Sequence, residues 1–342
     1  MSQTIDPAPP AVMPVTRFAP SPTGLLHLGH ALSAILSHDY ARAHGGRFIL
    51  RIEDIDTTRC RPEFVEAIFR DLDWLGVSWD GEVRRQSEHF DDYRTVLDQL
   101  TARDLVYPCF CTRSEIEAEI AASASAPHGP PPAGPDGPLY PGTCRRLTPA
   151  ARATRLAAGH PHALRLDMAA ALAALGPGAA SLNRTGAASL NRTGAASLSR
   201  TDAASLSRTD AASLSRTDAA GLSWTDMDGG PVKATPAIHG DVVLARKDVP
   251  ASYHLAVTHD DALQGITHII RGRDLEAATH LHRLLQALTG WPVPVWRHHR
   301  LLTDDQGRRL AKRTPGVRLA DLREAGVTPA DIRRRLGLAA AD

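Results

Sequence analysis

Residues 12 to 19 (VMPVTRFA) run apolar into Pro20, Pro22 and Gly24, and HLGHALSAILSHDYARAHGG then places Leu28, Leu32, Ile35 and Leu36 at helical spacing before Gly45 and Gly46. The pattern predicts a strand, a glycine- and proline-rich loop and a helix. RFILRIEDID is apolar on alternate positions and then turns acidic, as a strand does when its carboxyl end opens on a site. PEFVEAIFRDLDWLGV sets Val65, Ile68, Phe69, Leu72 and Leu75 on one face, with acids early and Gly76 late. Strands alternating with helices of this length predict an α/β fold built on a doubly wound parallel sheet.

From about residue 107 the character changes to YPCFC, a capping box at Ser114 and Glu117, a Pro/Gly-rich stretch from Pro127 to Pro138, and YPGTC, which reads as an inserted module. Ser181 to Ala220 repeats with period eight, SLNRTGAA twice and SLSRTDAA three times, before a diverged sixth unit, GLSWTDMD. One Leu per unit buries too little apolar area to offset chain entropy, so the five near-identical units predict a disordered loop. Trp224 marks the sixth unit as the original structured segment. After it, GDVVLARKD and ASYHLAVTHDDALQGITHIIRGRDL read as strands of the resumed sheet, and LEAATHLHRLLQALTG as an amphipathic helix ending at Gly290. The expected organisation is a first catalytic half (1–106), the inserted module (107–175), the octad insert with its structured end (176–230), a second catalytic half (231–290) and a basic C-terminal helical region (291–342).

Composition narrows this little. Of 342 residues 43% are hydrophobic, enough for a sizeable core, and 39 Lys and Arg against 38 Asp and Glu leave a net charge of +1, so nucleic-acid contact needs local patches. From Trp291 onward 11 Lys and Arg face 6 Asp and Glu, one such patch. No apolar run approaches the 18 or so residues of a bilayer span, and the N-terminus has neither a basic nor an apolar leader region, so no membrane partner and a cytoplasmic location are expected. Four cysteines are too few for a disulfide framework, and three of them cluster, which favours a metal; Cys60 is expected as a buried thiol.

His27 and His30 stand three apart at the first turn of the first helix and share a face. A helix N-terminus attracts anions, and imidazole donors beside Gly24 and Gly29 suit a nucleotide triphosphate. The whole string RFAPSPTGLLHLGHA resembles the signature of glutamyl-type class I aminoacyl-tRNA synthetases, and the resemblance recurs in order at LRIEDID, SYHLAVTHDD, ITHIIRGRDL and GRRLAKRT. It implies a Rossmann-type catalytic domain that binds ATP through Gly24, His27, Gly29, His30 and Lys312, with His27, His30 and Lys312 catalytic. It also implies that Arg17, Ala19, Ser21, Glu53, Tyr253 and Arg271 surround glutamate. A carboxylate side chain needs a fixed guanidinium and the ammonium needs an acid, which agrees; the bland alternative is that Glu53 and Arg271 pair with each other.

GRRLAKRT resembles the lysine loop of this class but departs from it: Arg309 stands for the first lysine, Ala311 for the usual serine, and Lys312 keeps the second lysine. Lys312 would bring positive charge to the α-phosphate and the leaving pyrophosphate of Mg2+-bound ATP. Cys109, Cys111, Tyr140 and Cys144 form a CxC…YxxxC pattern that could complete a tetrahedral zinc site. Spacing alone leaves the metal open; one branch of the family carries a structural zinc on this pattern. Thirty residues after Lys312 leave no room for an anticodon-binding region, which points to that truncated branch. Its members activate glutamate without tRNA and transfer it to queuosine at the first anticodon position of tRNA(Asp). A monomer is expected. The alternatives are a fragmentary enzyme charging tRNA(Glu) and an inactive, zinc-stabilised RNA-binding paralogue.

Overall fold

A computed structural model describes residues 13–124, 133–176, 221–303 and 318–339. Lys312, Arg309, Ala311 and the five near-identical octads lie outside them. The chain runs through β1 (Val15–Phe18), α1 (Leu28–Ala43), β2 (Arg47–Ile52), α2 (Pro62–Trp74), β3 (Arg84–Arg85), α3 (Phe90–Ala102), β4 (Val106–Cys109) and α4 (Arg113–Ala124). It continues with the hairpin β5 (Ala133–Gly134) and β6 (Gly137–Pro138), then α5 (Pro149–Ala157), β7 (Ala163–Leu166) and α6 (Met168–Ala174). The remainder is β8 (Ser223–Asp226), β9 (Gly230–Lys233), β10 (Val243–Ala245), α7 (Tyr253–Leu263), β11 (His268–Gly272), α8 (Glu276–Thr289), β12 (Val295–His299), α9 (Leu319–Glu324) and α10 (Pro329–Arg335).

The fold is α/β with parallel sheets. β1, β2 and β3 pair in parallel, with Val15 opposite Arg47 and Phe18 opposite Leu50. A second sheet orders β11, β12, β8 and β9, parallel across the first three and closed by the β8–β9 antiparallel hairpin. The two sheets meet side by side: Val15 N–H donates to Thr267 Oγ1 at 2.8 Å, and Thr267 N–H to the Val15 carbonyl at 3.0 Å. Apolar side chains cover both faces. Phe48, Leu50 and Ile52 of β2 pack with Leu32 and Ile35 of α1 on one side, whereas Ile49 joins the core that holds α3, α7 and α8. Alternation along β2 therefore serves two cores at once.

Local chemistry explains the element ends. Gly46 follows α1 where any Cβ would lie 2.1 Å from the Pro14 carbonyl oxygen, so the helix can turn back beside β1 only with glycine there. Gly290 ends α8 in the left-handed region, as expected from its place after the amphipathic run. The octads' sixth unit is a strand, β8, with Leu222 and Trp224 buried.

Three expectations need correction. YHLAVTHDDAL is the helix α7, not a strand, capped by Ser252 and buried on most sides, which removes the periodicity that separates helix from strand. The GDVVLARKD strand, β10, does not rejoin the parallel sheet; it pairs antiparallel with β7, itself paired to β4, so it belongs to the sheet of the inserted module. The capping box of α4 is Thr112 with Glu115, two residues before the expected pair. Among the described residues no helix is long and apolar enough to cross a membrane.

Candidate active site and metal centre

The carboxyl ends of β1, β2 and β11 open on a cavity of about 410 Å³, and the start of α1 borders it. Arg17, Ala19, Ser21, His27, Gly29, His30, Glu53, Tyr253 and Arg271 all line it. Gly24 does not, and Lys312 lies outside the described residues. Two charged residues of the wall are tied down by a buried network. Arg17 Nε donates to Asp261 Oδ1 at 3.1 Å, Arg51 Nη2 to the same oxygen at 2.9 Å, and Arg51 Nη2 to Glu53 Oε1 at 3.2 Å. Glu53 thus pairs with Arg51 rather than Arg271. Burial pushes the Glu53 carboxyl above its ordinary range, against the pull of Arg51 and Arg17.

Arg271 differs. It is 4% exposed, and no described carboxylate lies within ion-pair distance of its guanidinium. Nη2 donates to the Leu275 carbonyl at 3.1 Å and to Thr279 Oγ1 at 2.7 Å. Burial lowers its affinity for its proton, against the pull of the Tyr253 hydroxyl and the more distant Asp261. A buried cation on a cavity wall with no counter-ion is the arrangement an anionic ligand completes.

His27 is the N-cap of α1. Its Nδ1 accepts the Gly29 N–H at 3.0 Å, and its own N–H donates to His30 Nδ1 at 3.1 Å, with ring centroids 3.8 Å apart. Both Nδ1 atoms are acceptors, so each neutral ring carries its proton on Nε2, as a donor suited to phosphate oxygen. A Cβ on Gly29 would lie 2.9 Å from His27 Cε1, so this ring position requires glycine. Gly29→Ala is expected to displace His27 and slow the first chemical step about ten- to a hundredfold, with little change in melting temperature. Single-turnover rates beside a thermal melt check it; an unchanged rate would show that the ring does not matter.

Reasoning from the sequence assigned no role to Asp261, Arg51, Ser33 or His299. The adjacent acids Asp260 and Asp261 in an otherwise apolar stretch were the available signal, since buried carboxylates need partners. Asp260 accepts from Arg84, Gln86, Tyr93 and His259; burial alone would raise its pKa, and these partners bring it down to about 2. Ser33 Oγ lies 2.7 Å from His299 Nε2 on the cavity wall.

A second cavity, about 1050 Å³, shares Ser21, Glu53 and Tyr253 with the first and extends toward the inserted module past Asp56, Arg59 and Arg246. Cys60 lines it and is half-buried, not the core thiol expected. Beyond it, Cys109, Cys111 and Cys144 bring their sulfurs within 4.8 Å of one another. The Tyr140 hydroxyl is 3.4 Å from both Cys109 and Cys111, and the Arg165 guanidinium stands 3.9 Å from the Tyr140 ring centre. Four soft or oxygen donors converging this way fit a tetrahedral divalent metal.

Residues 13–173 and 210–340 match the family model for class I tRNA synthetases (E and Q), catalytic domain. The unmatched interval holds most of the octads. The chain is 45% identical to a glutamyl-Q tRNA(Asp) synthetase of Rhodobacter capsulatus, over 95% of this chain and 100% of that protein. It is 39% identical to one of Symbiobacterium thermophilum, over 92% of this chain and 82% of that protein. The crystal structure of glutamate-tRNA synthetase from Elizabethkingia anophelis superposes with a TM-score of 0.63 at 28% identity, covering 88% of this chain and 52% of that one. The chain thus spans about half the length of that synthetase.

Proposed function

Since the chain belongs to the glutamyl-Q tRNA(Asp) synthetase branch of the class I glutamyl and glutaminyl synthetases, and is a ligase, we propose that it activates glutamate with ATP in the absence of tRNA and transfers it to queuosine at the first anticodon position of tRNA(Asp). The observation that carries this reading is Arg271, a buried guanidinium with no carboxylate partner among the described residues, on a cavity sized for an amino acid and a nucleotide. The two parallel sheets, covered on both faces, are read as halves of one doubly wound sheet whose crevice lies between β1 and β11.

In this reading the side-chain carboxylate of glutamate pairs with Arg271, flanked by Arg17 and Tyr253, and its ammonium with Glu53. Ala19 and Ser21 line the backbone of the amino acid. The triphosphate lies against the N-terminus of α1, where His27 and His30 donate from Nε2 and Gly29 allows close approach. The Mg2+ that accompanies ATP shares the phosphate charge. An α-carboxylate oxygen attacks the α-phosphorus, the bond to pyrophosphate breaks with its electron pair on the leaving group, and glutamyl-adenylate forms. Lys312 would stabilise that charge. Of the described residues that flank it, Leu302 lines the cavity and Arg318 forms a β-bridge with His27. The acceptor hydroxyl, a cis-diol oxygen of the cyclopentenediol, then enters from the second cavity, attacks the acyl carbon and releases AMP. Cys109, Cys111, Cys144 and Tyr140 would hold zinc as a structural ion in the module bordering that cavity, with all four positions filled.

Two measurements test this. Glutamate-dependent ATP–pyrophosphate exchange is expected without added tRNA. Labelled glutamate is expected on tRNA(Asp) that carries queuosine and not on tRNA(Asp) that lacks it, with the label mapping to the first anticodon nucleotide. Label at the 3′ terminal adenosine would make the protein a tRNA-charging enzyme instead, and no exchange at all would make it an inactive paralogue.

A further inference from the structure

Behind Arg271 stands a set of histidines from three separate elements, and the hydrogen-bond pattern fixes the proton on each. A guanidinium has five N–H donors and no acceptor. Two donors on Nη2 are met by Leu275 and Thr279; Nη1 faces His282 Nδ1 at 3.4 Å and Nε faces His298 Nε2 at 3.5 Å. Each of those ring nitrogens must present a lone pair. His282 therefore carries its proton on Nε2, which reaches His254 Nδ1 at 3.2 Å. The Thr279 hydroxyl accepts from Arg271, and with its own proton it shares the single lone pair of His298 Nε2, 3.1 Å away, with the Arg271 Nε–H. That leaves the His298 proton on Nδ1, 3.9 Å from Asp226 Oδ2 and without a hydrogen bond. The two rings that touch Arg271 are thus locked in opposite tautomers. Burial acts in the same direction, taking His298 down to about 3, His254 to about 4 and His282 well below the ordinary imidazole value.

We propose that His282 and His298 are positioning residues that hold Arg271 in one orientation as neutral acceptors of opposite tautomer, leaving its charge for the side-chain carboxylate of the substrate. A carboxylate in either place would orient the guanidinium equally well, but it would cancel the charge that distinguishes an acid from its amide. Neutral imidazole orients without neutralising. The substrate half of this inference rests on the glutamate pocket proposed above; the tautomers do not.

The test begins with the intact protein labelled with 15N at histidine. Long-range proton–nitrogen correlation near neutral pH is expected to show His282 protonated on Nε2 and His298 on Nδ1, both neutral, with each ring assigned by its loss in the His282→Asn and His298→Asn variants. Either ring charged, or in the other tautomer, overturns the proposal. In ATP–pyrophosphate exchange, His282→Leu is expected to raise the KM for glutamate about tenfold, in line with losing a hydrogen bond to a charged group, with kcat and the KM for ATP within about twofold. His282→Asn, whose amide oxygen can stand near the Nδ1 position, is expected to restore most of that loss. Equal damage from both substitutions, or KM values for ATP and glutamate rising together, overturns a positioning role. If Arg271→Ala leaves the KM for glutamate unchanged, the pocket assignment fails while the correlation spectrum still decides the tautomers.

Discussion

Arg271→Ala is expected to lower kcat/KM for glutamate about a thousandfold. Truncating one partner of a buried, hydrogen-bonded charge pair costs roughly 2–5 kcal/mol, and each factor of ten in rate corresponds to about 1.36 kcal/mol. The upper part of that range applies, because the cavity wall offers the substrate carboxylate no equivalent replacement. Of the other two arginines that line it, Arg17 is already committed to Asp261, and Arg300 Nη2 donates to the Leu336 carbonyl at 2.7 Å. Arg271→Lys should recover little of the loss, since an ammonium cannot reproduce the planar fork that meets Leu275, Thr279, His282 and His298 together. ATP–pyrophosphate exchange over a glutamate series measures both variants. A near-normal KM for glutamate in the alanine variant would show that the side chain binds elsewhere.

Cys144→Ser is expected to abolish stoichiometric zinc and to unfold much of the module from about residue 107 to 160, while the catalytic sheet persists. The small cluster around this site consists of Tyr107, Cys109, Phe110 and Cys144, with Cys111, Tyr140, Leu147 and Ala163 packed against it. So few apolar side chains contribute little burial energy, and a metal held by three thiolates would supply what they lack. The residue also organises its neighbours: its sulfur accepts the Phe110 N–H at 3.3 Å and its own N–H donates to the Tyr140 hydroxyl at 2.9 Å. Transfer to tRNA should fall about ten- to a hundredfold, the range seen when ligand shells are damaged, and exchange far less, because the nucleotide cavity lies on the parallel strands. Metal analysis with paired exchange and transfer assays distinguishes the outcomes. Absence of zinc from unmodified protein purified without chelators would remove the site, and equal loss of both activities would remove the separation of roles.

Much of the cavity was legible because its residues sit in short contiguous strings. Arg17, Ser21, His27, Gly29 and His30 fall within fourteen positions, and strand, loop and helix leave distinct periodic marks there. The partners of Arg271 left no such mark. His254, His282 and His298 come from α7, α8 and β12, and only tertiary packing brings them to one guanidinium. The network through Asp261 was hidden for a related reason: α7 is buried nearly all round, so its apolar residues lack the empty face that reveals a helix. β10 went astray because a three-residue strand carries no information about which edge it will join. Trp224 was the opposite case, a single aromatic in an array without others, and it marked an octad whose Leu222 and Trp224 lie in a core.

The junction between the two parallel sheets has a mechanical meaning. β1 and β11 are joined there by the bonds between Val15 and Thr267, with α1 adding Ser37 Oγ donating to the Ile270 carbonyl, not by a continuous ladder. The shared apolar core, with Ile49 of β2 and Ile269 of β11, holds the two sheets together where the ladder is missing. Arg17 stands on one plate and Arg271 on the other. On the proposed binding mode, an amino acid held by both would be a clasp across that junction.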